Sequence, residues 1–156
     1  MKLLGTIQGT NITLGDDNVI RYTTKADVDC DGSPNWRRDP CGQADTSLHY
    51  QGKPINADAV PYIVVPPLII DSVPEIVLGS LAIVTNTLNG KKVVCVVADK
   101  GPHLKIGELS TAAAAALGLN PSPTEGGTDS HIILYELYPG TPATVNGITY
   151  DLQAST

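Results

Sequence analysis

The chain predicts a mainly β fold: a small barrel of six to eight short strands with one short inserted α-helix, in a single domain over residues 1–156. Three observations carry this prediction. The 15 Gly and 12 Pro divide the sequence into apolar runs of strand length rather than helix length. Leu88-Asn89-Gly90 lies between two apolar runs, Leu81–Thr87 and Lys92–Ala98, and Asn-Gly in that setting is the strongest short hairpin signal. A continuous β-branched run then begins at Val93 and breaks off on Asp99, the pattern of a strand buried on both faces.

The elements follow in chain order. Thr6–Leu14 alternates through Ile7, Ile12 and Leu14, and Gly15-Asp16-Asp17-Asn18 turns it toward a second strand at Val19–Thr24. The segment from Ser33 to Leu48 is polar and irregular. Val60–Val65 reads as a strand stopped by Pro66-Pro67, with Leu68–Ile70 beyond it and a break at Pro74-Glu75. After the central hairpin, Ser110 is placed to cap a helix over Thr111–Leu117 that Gly118 and Pro121 end. Its run of alanines implies close packing on a sheet. Pro121–Asp129 is a loop, Ile132–Leu137 a strand, and Thr144–Leu152 a last hairpin around Asn146-Gly147.

Composition narrows the function classes. A net charge of −6 lacks the basic stripe that a nucleic-acid backbone requires, and suits a cationic ligand or polymer. The most apolar window, Ala59–Ile70, is too short to span a bilayer and carries three prolines, so no membrane partner is expected. Met1-Lys2-Leu3-Leu4 resembles the start of a signal peptide, but no apolar region continues it. The expected location is extracellular or virion-associated, without a signal peptide in this chain. Of the 3 cysteines, Cys30 and Cys41 bracket a polar loop that a disulfide would stabilise by roughly 3 kcal/mol. Cys95, within the Val run, reads as a small buried hydrophobe. No zinc-type spacing is present, and neither a metal nor a cofactor is expected.

Chemistry concentrates in two stretches. Asp99 ends a core strand, and the Lys100-Gly101-Pro102 turn returns the chain to Glu108. Carboxylates are rare at the rim of a core strand unless they are paired, hydrogen-bonded or at work; turn and helix-start roles suit the same two residues. The second stretch, Asp27–Gly32, matches the first half of a calcium loop, D-x-D-x-D-G. Its second half fails, since Arg38 stands where the bidentate Glu belongs. Asp27, Asp29 and Asp31 can instead line a groove for ammonium groups, tie down the loop through Asx-turns, or form a calcium-stabilised loop of another kind. Trp36, the only tryptophan, is placed either to stack on a sugar face or to plug its loop onto the core. His49, His103 and His131 stand near no recognisable nucleophile.

Asp27-Val28-Asp29-Cys30-Asp31-Gly32, Ala44-Asp45-Thr46-Ser47, Val60-Pro61-Tyr62-Ile63-Val64-Val65-Pro66, and Asp99 followed by Ile106-Gly107-Glu108-x-Ser110 occur in that order. Together they resemble the family 75 glycoside hydrolases, the fungal-type chitosanases, over roughly Asp27 to Tyr135. The resemblance implies a double-psi-like β-barrel and inverting endo-hydrolysis of a glucosamine-containing polysaccharide. It implies Asp99 and Glu108 as the catalytic pair. An acidic groove from Asp27, Asp29, Asp31 and Asp45, with Trp36, would then bind substrate. The chain departs from that family in having fewer cysteines, no Phe and only 4% aromatic residues.

Inversion needs one carboxylic acid for the leaving oxygen and one carboxylate for water, roughly 6.5–9.5 Å apart. Asp99, nearest the core, is read as the acid and Glu108 as the base. Two other classes stay open. One is a phage tail or lysis module acting on peptidoglycan, with virion or tail assembly partners. The other is a non-catalytic structural or carbohydrate-binding virion protein.

Overall fold

A computed structural model describes residues 1–153. The first hairpin, β1 (Lys2–Ile7) with β2 (Thr10–Leu14), pairs through β2 with β3 (Ile20–Asp29), the strand that anchors the barrel. A 3-10 turn at Trp36–Arg38 and a small hairpin of β4 (His49–Tyr50) and β5 (Lys53–Pro54) follow. Next come β6 (Tyr62–Val65), α1 (Pro67–Ser72), β7 (Ser80–Asn86), β8 (Lys92–Lys100) and β9 (Glu108–Ser110). The chain continues through α2 (Thr111–Ala116) and β10 (Thr128–Pro142) to a last hairpin, β11 (Thr144–Val145) with β12 (Ile148–Thr149).

Six of these strands close on themselves in the order β3-β10-β7-β8-β6-β9, and β9 returns to β3. Four of the contacts are antiparallel. β6 with β8 and β9 with β3 are parallel. The closed, mainly β barrel is the expected architecture. Closure leaves no open edge within the barrel, and the β1–β2 hairpin extends the sheet from β3.

The Val run forms β8, whose second half, Cys95–Ala98, is buried on both faces because two cores meet on it, while Val94 nearer the hairpin is exposed. Cys95 and Val97 face the barrel interior with Ile63 and Val65 of β6. Val96 and Ala98 join Tyr62 and Val64 in a second cluster outside the barrel, closed by Leu48, Val145 and Tyr150. Every residue of β6 is therefore buried.

Three local readings change. The stretch Thr6–Leu14, expected as one alternating strand, reverses at Gln8-Gly9, both with positive φ, so Thr6 and Ile7 end β1 and Thr10 begins β2. The sequence predicts one helix and the structure has two. Pro67 occupies the first turn of α1, where a missing N–H costs nothing, so Pro66-Pro67 ends β6 and starts a helix through Leu68–Ile70. The strand expected at Ile132–Leu137 is the centre of the longer β10. At α2 the expectation holds: the Ser110 side chain accepts the Ala113 N–H. Gly32 of the Asp-rich segment also has a packing reason to be glycine. Its φ is +79°, and a Cβ there would lie 1.9 Å from the Ile55 carbonyl oxygen.

Candidate functional site

Glu108 opens β9 and pairs with Asp27 of β3 on one side and Val64 of β6 on the other. Val64 in turn pairs with Asp99 of β8. Asp27, Glu108, Val64 and Asp99 thus form one row across four neighbouring strands. Val64 belongs to the outer cluster, so the row faces away from the barrel interior.

Asp99 reaches this face through a bulge. Simple alternation from Cys95 and Val97 would send it into the apolar barrel. The β6–β8 register instead shifts between Ile63 and Val64, so Ile63 opposes Val97 while Val64 opposes Asp99 and Ala98 is the extra residue. One inserted residue moves a carboxylate from the core to the surface row. Asp99 and Glu108, two interstrand steps apart, have backbones roughly 9–10 Å from each other.

The row floors a cleft of about 690 Å³. Eight carboxylates line it (Asp27, Asp29, Asp31, Asp39, Asp99, Glu108, Glu125 and Asp129), against two lysines, Lys100 and Lys105. Of the residues expected at a site, Asp27, Asp29, Asp31, Asp99 and Glu108 come together here. Asp45 and Trp36 are not among the lining residues. Asp45 pairs with His49 Nε2 at 2.6 Å. Trp36 is half-buried in its 3-10 turn, with the Arg37 guanidinium 4.3 Å from its ring centroid. Cys41 lines the cleft as a free thiol, and buried Cys30 is also free, its Sγ 3.5 Å from the Trp36 carbonyl.

The hydrogen bonds treat the two central carboxylates differently. Asp99 Oδ1 accepts from Ser47 Oγ at 2.6 Å, from the Lys100 N–H at 3.0 Å and from the Ser47 N–H at 3.3 Å. Burial raises the Asp99 pKa, those three donors oppose the rise, and the Asp45 charge adds to it. Among the described residues, no protein group hydrogen-bonds the Glu108 carboxylate. Burial raises its pKa, the Lys105 charge lowers it, and the charges of Asp27, Asp31 and Asp99 raise it again. Gly101 makes room for Glu108: a Cβ there would lie 2.8 Å from Oε2.

Asp29, Asp31 and Asp99 each bring an oxygen within 4.8 Å of the others. Such a group could ligate one hard cation or an ammonium group. Without one, a proton relieves the crowding. Burial, countered by the Asp31 N–H and reinforced by the Asp31 and Glu108 charges, pushes Asp29 up to about 8. Asp31 is raised by burial against a hydrogen bond from the Gln43 N–H. Its carbonyl accepts from the Tyr62 hydroxyl at 2.9 Å.

Sequence reasoning missed several residues of this cleft. Asp39 and Gln43 lie in the irregular loop, and Glu125 and Asp129 in the Pro- and Gly-rich one. None has a local pattern that marks it, because the barrel's long-range pairings bring these loops together. Ser47 stands in one of the four quoted motifs, and its role emerges only from its bond to Asp99.

Comparison with known protein families and with curated proteins finds no match to the chain. Among the described residues, no helix is long and apolar enough to cross a membrane.

Proposed function

We propose that the protein is an inverting glycoside hydrolase acting on a glucosamine-containing polysaccharide outside the cell that makes it. The observation that carries the reading is the register row. It sets Asp99 and Glu108 on one face of the sheet with a single strand between them. A backbone separation of roughly 9–10 Å suits the 6.5–9.5 Å between carboxyl groups that leaves room for an attacking water. Eight carboxylates in the cleft suit a polymer that carries ammonium groups. The resemblance of the four motifs to the fungal-type chitosanases supports the same reading.

The hydrogen bonds favour Glu108 as the acid and Asp99 as the base, the reverse of what strand burial alone suggests. Three donors on Asp99 Oδ1 favour its ionised form. Glu108, half-buried and without such donors, is better suited to hold a proton. In the step, Glu108 gives its proton to the glycosidic oxygen as the bond from that oxygen to the anomeric carbon breaks. Water attacks the opposite face through its oxygen while Asp99 takes a proton from it. Proton exchange with solvent then returns both groups to their starting forms. No cofactor enters.

The test follows reducing ends and product anomers from chitosan, chitin and peptidoglycan, with Asp99→Asn and Glu108→Gln beside the wild type. Release of α-anomers from chitosan, reduced about 100-fold or more in both variants, is expected. Turnover of peptidoglycan alone would move the protein to a lysis or tail-associated wall-degrading role. Inactivity on all three polymers would overturn the reading in favour of a binding or structural barrel.

A further inference from the structure

Ser47 is exposed and lies outside any regular element, yet its position is firmly set. On one side, the Leu48 N–H donates to the Ala98 carbonyl at 2.9 Å, and the Leu48 side chain is fully buried. On the other, the buried Thr46 hydroxyl donates to the Leu48 carbonyl at 2.8 Å and accepts the Ile55 N–H at 2.9 Å. Asp45 Oδ1 takes the Thr46 N–H at 3.0 Å as well as His49 Nε2. The residues flanking Ser47 are therefore tied to β8 and to the outer core, and the one hydroxyl between them reaches Asp99.

We propose that Ser47 is the positioning residue of the base: its hydroxyl pins Asp99 Oδ1, leaving Oδ2 to take the proton from the attacking water. This rests on the glycosidase reading of the same cleft. A carboxylate left to itself turns broadly about its last torsion and offers either oxygen. Here all three donors converge on Oδ1, and among the described residues no donor reaches Oδ2. The surroundings make such a donor necessary. Asp29 faces Asp99 from the end of β3, Asp31 from the turn after it, Asp45 from the Ser47 loop, and Glu108 from β9. Tyr62 approaches from β6, and Lys100 is its neighbour on β8. Asp31, Asp45 and Glu108 oppose a further negative charge whenever they are ionised. A short hydrogen bond to the ionised oxygen is the strongest neutral contact available to offset them.

The Ser47 backbone N–H survives any substitution, so side-chain variants isolate the hydroxyl. The experiment measures kcat and KM on chitosan across pH for wild type, Ser47→Ala and Ser47→Thr. In the same proteins, the Asp99 side-chain carboxyl is titrated by carbon NMR. In Ser47→Ala, kcat is expected to fall about tenfold or more while KM changes less than about twofold. Its acidic limb is expected to move up by about half a pH unit or more, because a carboxylate that loses a donor protonates more readily. The Asp99 carboxyl should titrate at higher pH by a similar amount, and Ser47→Thr should restore both. An acidic limb that stays in place, or an Asp99 carboxyl that titrates identically in wild type and Ser47→Ala, overturns the proposal. Wild-type inactivity on every polymer overturns the glycosidase reading and the catalytic role with it. The carboxyl titration then decides alone whether Ser47 orients Asp99.

Discussion

Gly101 controls the space at the end of the Glu108 side chain. A methyl group there would meet Oε2 at 2.8 Å and Val64 Cγ1 at 3.1 Å, and Glu108, the flexible partner, would have to move. Gly101→Ala is therefore expected to lower kcat about tenfold or more, since an ångström of misplacement is costly in catalysis. Thermal unfolding should shift by no more than about 2 °C, because the clash is relieved at a side-chain tip. Parallel kinetics and melting curves separate these effects. Asp29 makes a different prediction. Its folded pKa of about 8 lies above the unfolded value of 3.8, so the folded state binds the extra proton between those limits. Its contribution to stability is fully present below about pH 4 and is lost as pH rises through about 8. Asp29→Asn, which keeps the shape without the titration, should gain stability over wild type on the order of a few kcal/mol at pH 9. That advantage should shrink toward zero near pH 4. Denaturant unfolding at the two pH values measures it, and an advantage independent of pH would refute the assignment.

At the scale of elements, one ion pair secures the turn that leads into the Asp39–Gln43 side of the cleft. Asp58 pairs with Arg38 and accepts hydrogen bonds from the hydroxyls of Ser33 and Thr111, which fasten the 3-10 turn to the start of α2. Burial acts to raise the Asp58 pKa, but these partners outweigh it and bring the carboxyl down to about 2. Asp58→Ala should cost about 1–3 kcal/mol, chiefly by leaving the Ser33 hydroxyl and one Arg38 nitrogen without their acceptor, while the Thr111 hydroxyl keeps the Ala57 carbonyl. It should also speed hydrogen exchange in residues 33–43 more than in β8, which exchange mass spectrometry resolves. This fastening was not legible in the sequence, where Asp58 and Arg38 stand in separate loops. What was legible had a local cause: the β-branched run of β8, the Asn-Gly turn before it and the Ser110 cap. The bulge at Ala98–Asp99 was not, because a register shift belongs to two strands at once and alternation along one strand predicts the wrong face. Asp99 and Glu108 could be singled out as carboxylates at the end of a core element, but Val64 as their spacer could not. Trp36 shows the limit of reading by residue type. Its ring is covered by the adjacent Arg37, and the turn that holds both lies off the lining of the cleft.

For the whole molecule, charge is the governing quantity. Much of the net charge of −6 resides in one concavity, whose eight carboxylates and two lysines would draw a polyammonium chain by long-range attraction. Binding of a chitosan oligomer to the Glu108→Gln variant should weaken about tenfold or more between 0.05 and 0.5 M salt. Titration calorimetry reads this directly, and an affinity indifferent to salt would remove the acidic groove from the account of binding.

The parallel contact of β9 with β3 closes the barrel, and it also brings Glu108 beside Asp27 and Asp29. Before that contact forms, these acids belong to distant parts of the chain and hardly repel one another. Their repulsion arises in the same event that completes the hydrogen-bonded ring. Forming this contact is thus opposed by charge, and protons or counterions that quiet the cleft would ease it. The pairing that makes the barrel continuous and the crowding of its acids are one and the same contact.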